Sequence, residues 1–547
     1  MLDFTKHFAT RVRAMLTPQS EPVPGSGQVP NSAGGYAWAI NQWDRLDRFL
    51  VLGSEGGTYY VGERKLTLEN AHAVADCLAE DGPRVVARVV EMSESGRAPK
   101  NDPALFVLAM AAGLGDEPTR AAALAALPRV ARTGTHLFHW LQYVRGFRGW
   151  GRGVRRAVAG WYTQKAPREL AYQLLKYPSR DGWSHRDALR LAHPRPATDE
   201  QRALFARVVS QTRAPVDGEG GALALVRAAD ALHADAEMDP RRAAAVIRDH
   251  RLTREMVPTP LLAHPVVWEA LLEEMPLTAL IRNLATMTRV GLVAPGSSAS
   301  RKVAERIADA GALRKARVHP VQVLGALRTY ASGRGVRGSG VWQPVAKVED
   351  ALDAAFYLAF GAVQPANRRL MLALDVSGSM GASVLGMDHL SCREASAAMA
   401  LVTAATEPEH FFTAFTAGPL PSMHAGLSTG LSPLSVSPRQ RLDDVVQSIS
   451  NIPFGGTDCA LPMVEAEKNR WPVDVFVVYT DNETWAGSIH PAQALRRYRE
   501  RMGIAAKLVV VAMASNGFSI ADPEDPGMLD VVGFDAAAPQ LIADFAR

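Results

Sequence analysis

The chain has 547 residues, of which 47% are hydrophobic and 21% charged. This composition is typical of a globular protein. The chain is too long for a single hydrophobic core, and it contains no apolar run long enough to cross a membrane. The net charge of +4 divides unevenly, since residues 366–547 hold 13 Lys and Arg against 20 Asp and Glu, a net of −7, and residues 1–365 hold 47 against 36, a net of +11.

This charge distribution indicates an anionic partner for the first part of the chain only. Asp3, Lys6, Arg11 and Arg13 interrupt the first twenty positions, so we expect no signal peptide. The three cysteines are far apart and form neither a disulfide framework nor a zinc motif. Together these features predict a cytoplasmic protein that does not associate with a membrane.

The first part of the chain combines an irregular arm with a long helical region. Residues 1–35 are predicted to form an N-terminal arm, because their second half is rich in Pro, Gly and Ser. Amphipathic stretches such as Pro103–Leu114 and Ala222–Ala234 recur between Pro and Gly turns. We find no strict repeat period. Many helices in succession nevertheless predict an all-α helical-repeat domain over residues 36–365.

A basic segment lies inside this helical region. Between Glu117 and Glu169 there is no acidic residue, while aromatic side chains are interleaved with cationic ones. Cationic side chains beside planar rings suit RNA phosphates and unstacked bases. We expect most of the aromatic side chains to fill the helical core. The cationic residues predict a polyanionic ligand, RNA or DNA: Arg120, Arg129, Arg132, Arg145, Arg148, Arg152, Arg155, Arg156, Lys165 and Arg168.

After Pro365, short apolar runs alternate with helical stretches. The alternation predicts an α/β domain over residues 366–547, with a parallel sheet covered on both faces. In such a sheet, ligands bind beyond the carboxyl ends of the strands. The predicted strands are Leu370–Leu374, His410–Phe415, Val473–Tyr479 and Lys507–Met513, and the predicted helices include Cys392–Ala405 and His490–Met502.

Three loops at that sheet edge carry candidate metal ligands. Asp375, Ser377 and Ser379 follow the first strand, Thr457 lies in a Gly-Gly-Thr-Asp loop, and Asp481 follows a later strand. Carboxylate and hydroxyl oxygens favour a divalent cation, Mg²⁺ first, with Mn²⁺ or Ca²⁺ as alternatives. The simpler interpretation is a set of Asx and Ser turns that cap the following helices. The serines lack a nucleophile-elbow motif and a partner histidine, so we expect no enzyme.

This arrangement resembles the metal-ion-dependent adhesion site of von Willebrand factor A domains. The resemblance implies that Ser377, Ser379 and Thr457 bind the metal directly. It implies that Asp375 and Asp481 bind it directly or through water. In that family the open coordination position takes a carboxylate from a partner protein.

Longer motifs resemble the Ro autoantigen family, whose helical module is called TROVE. The resemblance covers the chain from about Trp38 to its end. It implies a multidomain fold: an all-α ring of HEAT-like helical repeats with a positively charged hole, followed by a doubly wound von Willebrand factor A domain. The motifs are segments 53–60 (GSEGGTYY), 150–156 (WGRGVRR), 182–187 (GWSHRD), 274–283 (EMPLTALIRN) and 319–320 (HP), then 455–463, 480–487 and 515–530.

The same resemblance implies a non-enzymatic RNA-binding protein. Its ligands would be Y-like small noncoding RNA on the outer surface of the ring and single-stranded 3′ ends of misfolded noncoding RNA in the hole. RNA quality control and stress recovery would be its roles, with a 3′ exoribonuclease as a further partner. By resemblance, the RNA role falls on Arg148, Arg152, Arg155, Arg156, Lys176, Arg180, His185 and Arg186.

Two alternatives remain open from the residues themselves. A histidine in a Gly-Trp-Ser-His turn, such as His185, also fits a hydrogen-bonding role at the start of a helix. The whole chain could instead be a metal-dependent protein-interaction scaffold, in which RNA is not the main ligand. We expect a monomer, because a closed ring satisfies its own edges.

Overall fold

The structure is a computed structural model, and it groups the chain into two compact units. One unit combines the described residues of Met1–Asn70 with those of Ala362–Arg547, and the other is Ala71–Gly361. None of the described helices is long and apolar enough to span a membrane. The described residues are 16–210, 220–335, 339–361, 363–384, 387–418, 421–422, 426–427, 430–437, 439–442, 444–445, 449, 452–453 and 455–547.

The first described residues are built into the unit that contains the C-terminal sheet. Strands β1 (Gln28–Pro30) and β2 (Tyr36–Ala39) pair antiparallel, and helix α1 (Gln42–Leu52) follows behind an Asn41 cap. Buried Arg48 on α1 donates to Asp530 Oδ2 at 2.5 Å. This ion pair lies within the first unit, in which residues 36–70 are grouped by their contacts. The predicted arm over residues 1–35 is likewise packed from residue 16 onward, and its first fifteen residues lie outside the described part.

The second unit is a succession of helices. It begins within α2 (Glu63–Ser95), which kinks at Asp81 just before Pro83, because a proline inside a helix removes a backbone hydrogen bond. The predicted helices near 103–114 and 222–234 are confirmed. In chain order the described helices after α2 are α3 (Asp102–Leu114), α4 (Glu117–Val130), α5 (Gly134–Phe147), α6 (Arg152–Thr163), α7 (Pro167–Lys176), α8 (His185–Ala192), α9 (Asp199–Ser210), α10 (Gly221–Ala234), α11 (Pro240–His250), α12 (Pro265–Glu274), α13 (Leu277–Arg289), α14 (Ser298–Ile307), α15 (Ala310–Ala316), α16 (Pro320–Ala331) and α17 (Ala346–Leu358).

The helical unit closes on itself. His319, just before α16, bonds through Nε2 to the carbonyl of Arg97 at 3.0 Å. Gln322 on the same helix donates to the carbonyl of Pro99 at 2.5 Å. The loop after the first helix of the unit therefore meets one of its last helices. One departure from the all-helical prediction is a short hairpin of β3 (Ser179–Arg180) and β4 (Trp183–Ser184).

The C-terminal part of the first unit is a six-stranded sheet flanked by helices. Its strand order is β11-β8-β5-β12-β13-β15, and its two central strands, β5 (Leu370–Asp375) and β12 (Val475–Thr480), are entirely buried. Trp38 of β2 lies in the same hydrophobic core as Phe476 and Leu508 of the sheet. The strands in chain order are β5 (Leu370–Asp375), β6 (Ser383–Val384), β7 (Met387–Ser391), β8 (His410–Phe415), β9 (Pro421–Ser422), β10 (Gly426–Leu427), β11 (Leu431–Leu434), β12 (Val475–Thr480), β13 (Lys507–Ala512), β14 (Phe518–Ser519) and β15 (Met528–Val532), and the helices are α18 (Cys392–Thr406), α19 (Leu461–Lys468), α20 (Pro491–Met502) and α21 (Ala538–Ala546).

The predicted strands are confirmed to within two residues, but the sheet is mixed rather than purely parallel. Strand β11 pairs antiparallel with β8, opposite Phe412–Phe415. Only fifteen residues separate the two strands, and a parallel crossover commonly needs a helix of its own. The central strands β5 and β12 are parallel neighbours in register from Leu370↔Val475 to Leu374↔Tyr479. Their carboxyl ends therefore lie side by side.

Candidate functional site

Asp375 and Asp481 meet at the carboxyl edge of the sheet. Asp375 ends β5 and Asp481 follows β12, and both are at most 3% exposed. Asp375 Oδ1 accepts from the Ser377 amide at 2.9 Å, and its Oδ2 accepts from the Thr480 hydroxyl at 2.7 Å. The Ser377 and Ser379 hydroxyl oxygens are 3.1 Å apart. The structure thus brings four of the five predicted ligands to neighbouring positions.

Thr457 reaches the site on the third predicted loop. The Gly378 amide donates to the Gly455 carbonyl at 3.2 Å, which joins the loop to the serine segment. The Thr457 carbonyl accepts from the amides of Trp485 and Ala486, which joins it to the loop after β12. Thr457 is buried, yet its hydroxyl makes no hydrogen bond to any residue in the described part of the chain. It remains available to a ligand.

The electrostatics of this edge favour a cation. Burial raises the pKa of Asp375, and burial together with the Asp375 charge raises the pKa of Asp481 to about 7. Two carboxylates in one buried site repel each other unless a proton or a metal ion lies between them. Within the described ranges, no three His, Cys, Asp or Glu side chains cluster as a metal-binding group. A metal here would therefore need the Ser and Thr hydroxyl oxygens as ligands.

Several residues that the sequence analysis did not single out hold these loops. The Arg393 guanidinium donates to the carbonyls of Val376 and Ser377, at 2.8 and 3.2 Å. Asn516 donates to the Asp481 carbonyl at 2.6 Å. Arg393 lies in a helix of mostly small and apolar residues that is buried on all sides, so the sequence pattern alone does not indicate its contact with the first loop.

The N-terminal segment braces the same loops from the other side. Fully buried Gln19 donates to Asp458 Oδ1 at 2.7 Å and to the Ile489 carbonyl at 2.8 Å, and its Oε1 accepts from the Thr484 hydroxyl. Glu483 Oε2 accepts from the amides of Ser32 and Ala33 at 2.9 and 3.0 Å. Burial, and after it the Asp481 charge, raises the pKa of Glu483 to about 8. We call residues 17–35 the N-terminal brace.

Replacing Gln19 with Ala should therefore destabilise this unit. The substitution leaves buried polar groups on two loops without partners, and each such group costs about 1–3 kcal/mol. We expect a loss of about 2–4 kcal/mol in the free energy of unfolding, measured by chemical denaturation. Glu21→Ala, at an exposed position in the same segment, is the control and should change stability by less than about 0.5 kcal/mol. Equal stability of the two variants would contradict a bracing role.

The predicted RNA-binding arginines of α6 lie on one exposed helix face. Arg152, Arg155 and Arg156 follow the spacing i, i+3, i+4 and are exposed, whereas Val154, Val158, Trp161 and Tyr162 on the opposite face are buried. None of the three arginines forms a hydrogen bond or an ion pair with a residue that the structure describes. The helix also starts with Gly151 as an uncapped N-terminus and has no acidic residue in its first turn.

Most other cations of the basic segment have local partners. Arg129 pairs with Glu94 at 2.6 Å, and Lys165 with Glu169 at 3.1 Å. Arg148 donates to the Ala112 carbonyl at 3.1 Å. Arg145, in the last turn of α5, is exposed and makes no hydrogen bond or ion pair with the described residues. It is therefore a further candidate for RNA binding, which the family resemblance did not assign. The aromatic side chains mostly pack inside, as expected: Phe138, Trp140, Trp161 and Tyr162 are fully buried.

The remaining predicted RNA residues occupy different environments. Arg180 is exposed on the β3–β4 hairpin, and its Nε lies 3.6 Å from Asp181 Oδ1. Arg186 is half-buried and donates to the Val209 carbonyl at 3.3 Å. Lys176 is half-buried at the end of α7, where it donates to the Tyr172 hydroxyl at 2.8 Å. Of these three, Arg180 is the most accessible to a large ligand.

His185 is a core residue, which corrects its assignment to the RNA surface. It is 2% exposed at the first position of α8. Its Nδ1 lies 2.8 Å from the Tyr162 hydroxyl and its Nε2 lies 3.3 Å from the Gln173 carbonyl. Both ring nitrogens are thus engaged within the fold, so the ring has no free edge for RNA.

Burial also lowers the pKa of His185 to about 4. A histidine whose pKa is lower in the folded than in the unfolded chain contributes stability that is lost as pH falls from about 6.5 through about 4. We expect this loss to be about 3 kcal/mol for the helical unit. His185→Asn should reduce the slope of the free energy of unfolding against pH in that window. Part of the slope should remain in the variant, because His136 also has a lowered pKa, about 3. Identical slopes would contradict this account.

The two units together define a class of protein, one that joins a closed array of helices to a von Willebrand factor A-type sheet with hydroxyl-rich loops. Comparison with known families agrees: the TROVE domain family matches residues 29–219 and 233–328, and the Ro60 vWA domain family matches residues 369–546. The chain belongs to the Ro60 family. It is 42% identical to the RNA-binding protein RO60 of Deinococcus radiodurans over 99% of both chains.

Two further comparisons extend this finding. The chain is 36% identical to the RNA-binding protein RO60 of Caenorhabditis elegans, over 95% of this chain and 90% of that protein. The crystal structure of the Deinococcus radiodurans Ro (RSR) protein matches with a TM-score of 0.69 and 42% identity, over 93% of this chain and 99% of that one. The predicted fold class is thereby confirmed.

Proposed function

We propose that this chain is an RNA-binding protein without enzymatic activity and that the exposed face of α6 is its main contact with RNA. The observation that carries the proposal is the trio Arg152, Arg155 and Arg156, which is exposed and lacks a neutralising partner among the described residues. Arginine side chains hold phosphate oxygens in a bidentate manner and stack on bases. The open N-terminus of α6 adds backbone N–H groups, which favour the same anion.

The names of the relatives and the family membership support RNA in preference to DNA. Within that function we propose Y-like small noncoding RNA and single-stranded 3′ ends of misfolded RNA as ligands, with roles in RNA quality control and stress recovery. A 3′ exoribonuclease is the proposed protein partner, and the cytoplasm the proposed location. Arg145, Arg148, Lys176, Arg180 and Arg186 would be further contacts with the RNA.

A salt-titrated gel shift tests this proposal. The intact protein is titrated against a structured small RNA, a hairpin with a single-stranded 3′ tail, and DNA of matched length. We expect tight binding of both RNAs that weakens steeply with salt, because phosphate contacts release counterions. Weak and equal binding of all three nucleic acids would overturn RNA as the ligand.

We further propose that the sheet edge binds a divalent cation, Mg²⁺ first and Mn²⁺ or Ca²⁺ as alternatives. Ser377, Ser379 and Thr457 would be direct ligands, and Asp375 and Asp481 direct or water-mediated ones. The all-oxygen donor set and the two buried carboxyl groups fit such an ion. A bound ion would neutralise the buried carboxylates. Its open coordination position could take a carboxylate of a partner protein, and this is the basis for the alternative role as a protein-interaction scaffold.

A further inference from the structure

A cleft of about 410 Å³ opens in the helical unit between α7, the turn at 251–255 and the start of α13. Leu225, Leu252, Leu271 and Met275 line it and are buried, so its floor is apolar. Its size falls in the range of small-ligand sites, which commonly combine an apolar lining with a few polar groups. Apart from Lys176 and Arg168, which the sequence analysis assigned to RNA or another polyanion, no residue of this cleft enters the function proposed above.

Two polar groups in the cleft lack partners. The Thr253 hydroxyl is buried and makes no hydrogen bond to any described residue. The Asn283 side chain donates to the Ala279 carbonyl at 2.8 Å, while its own amide oxygen accepts no hydrogen bond from the described part of the chain. Buried polar groups in native proteins are nearly always paired, which makes the Thr253 hydroxyl unusual. Asn283 is half-buried. A bound ligand would supply the missing partners.

Lys176 brings a positive charge to the same cleft. Its ammonium group bonds the Tyr172 hydroxyl and lies 5.0 and 5.5 Å from the ring centroids of Tyr172 and Tyr177. No carboxylate of the described chain lies within 4.0 Å of this half-buried ammonium group. An amine in this setting suits a ligand with a phosphate group.

Carboxylates also line the cleft. Glu255 and Glu274 are among its lining residues, and Glu255 lies near enough to Tyr172 to contribute to raising the pKa of that hydroxyl to about 12, after the larger effect of burial. Carboxylate and amide oxygens accept hydrogen bonds from the exocyclic amino groups of nucleobases. Uracil has no such amino group.

We propose that this cleft binds a single nucleotide, with its phosphate at Lys176 and its base on the apolar floor. Thr253, Asn283 and the glutamates would contact the base, so adenine, cytosine and guanine are preferred over uracil. The nucleotide is either an unpaired residue of a bound RNA, in which case the inference rests on the proposed RNA function, or a free mononucleotide.

Isothermal titration of the intact protein with AMP, CMP, GMP and UMP tests the chemistry. At least one of the first three should bind about tenfold more tightly than UMP, and Lys176→Gln should weaken that binding about tenfold, as expected for a lost charged hydrogen bond. Thr253→Val should also weaken binding, while its melting temperature stays the same or rises because an unpaired buried hydroxyl is removed. Lys302→Gln, at an exposed position of α14, is the control and should bind as the wild type does.

Two hairpin RNAs, identical except for one unpaired nucleotide, distinguish an RNA nucleotide from a free mononucleotide; the unpaired nucleotide carries the base of the mononucleotide that binds most tightly. A preference for the hairpin with the unpaired nucleotide that Thr253→Val abolishes supports an RNA nucleotide, and mononucleotide binding with equal hairpin affinities supports a free mononucleotide. No mononucleotide binding and equal hairpin affinities would overturn the inference while leaving RNA binding intact. Equal affinity for UMP would overturn the proposed contacts to the base. Absence of all RNA binding would instead contradict the proposed function. The mononucleotide titration would still show whether the cleft binds a nucleotide.

Discussion

Replacing Arg152, Arg155 and Arg156 together with Gln should lower the affinity for structured RNA about a hundredfold or more at physiological salt. Each arginine is expected to contribute one phosphate contact, and a hydrogen bond to a charged group contributes about 1.5 kcal/mol or more. Loss of three contacts should also reduce the slope of log affinity against log salt by about 2 to 3. Both quantities come from the same salt-titrated binding curves.

The same variant should fold at least as well as the wild type. Arg152 and Arg155 in the first turn of α6 oppose the positive end of the helix dipole, and Arg152 and Arg156 repel each other at i, i+4. Neutral side chains remove both effects, so the melting temperature should stay or rise as RNA binding falls. A structural role for the arginines predicts the opposite, a variant that loses stability and binding together.

A matched control separates the site from the overall charge. Lys468, Arg470 and Arg496 are exposed on the other unit, and replacing all three with Gln changes the net charge by the same amount. This control should retain nearly all of the RNA affinity. Equal losses in both triple variants would mean that RNA responds to the net charge of the protein and that the α6 face is not its site.

The sequence predicted those features that depend on local pattern. Apolar runs of strand length located β5, β8, β12 and β13 to within two residues, because a buried parallel strand must be apolar on both faces. The positions of Asp375 and Asp481 after two such strands then placed both carboxyl groups at one sheet edge. The prediction that most aromatic side chains of the basic segment fill the core was made from residue type alone, and it is confirmed for Phe138, Trp140, Trp161 and Tyr162.

Features that depend on distant contacts could not be predicted in this way. The composition of residues 17–35 is that of a loop, yet Gln19 is fully buried against Asp458, 439 positions away. The acid-free run around Arg129 suggested an uncompensated charge, but Glu94 of another helix pairs with that arginine. His185 lies in a polar-looking turn whose burial depends on Phe138, Trp161 and Tyr162 around it. In each case the partner lies on another element.

Asp481→Asn should make the metal-free protein more stable than the wild type at neutral and higher pH. Burial and Asp375 raise the pKa of Asp481 to about 7 in the folded chain. A carboxyl group whose pKa is raised in this way loses folding free energy as pH rises from about 3.8 through about 7, in total on the order of 4 kcal/mol. The neutral amide keeps the shape of the side chain and removes this loss. Thermal or chemical unfolding in EDTA, as a function of pH, measures the difference.

Addition of Mg²⁺ should stabilise the wild type far more than the variant and so reduce the difference between them. An ion that binds only the folded state stabilises it by about 2.7 kcal/mol at a concentration a hundredfold above its dissociation constant, and the wild type retains the full set of acidic ligands. The variant should show little response to Mg²⁺, Mn²⁺ or Ca²⁺.

Asp544→Asn, which neutralises an exposed carboxylate on α21, is the control and should respond to the metals as the wild type does. A variant that is less stable than the wild type in EDTA would show that Asp481 is needed for folding itself. Equal metal responses in both proteins would place the ion elsewhere.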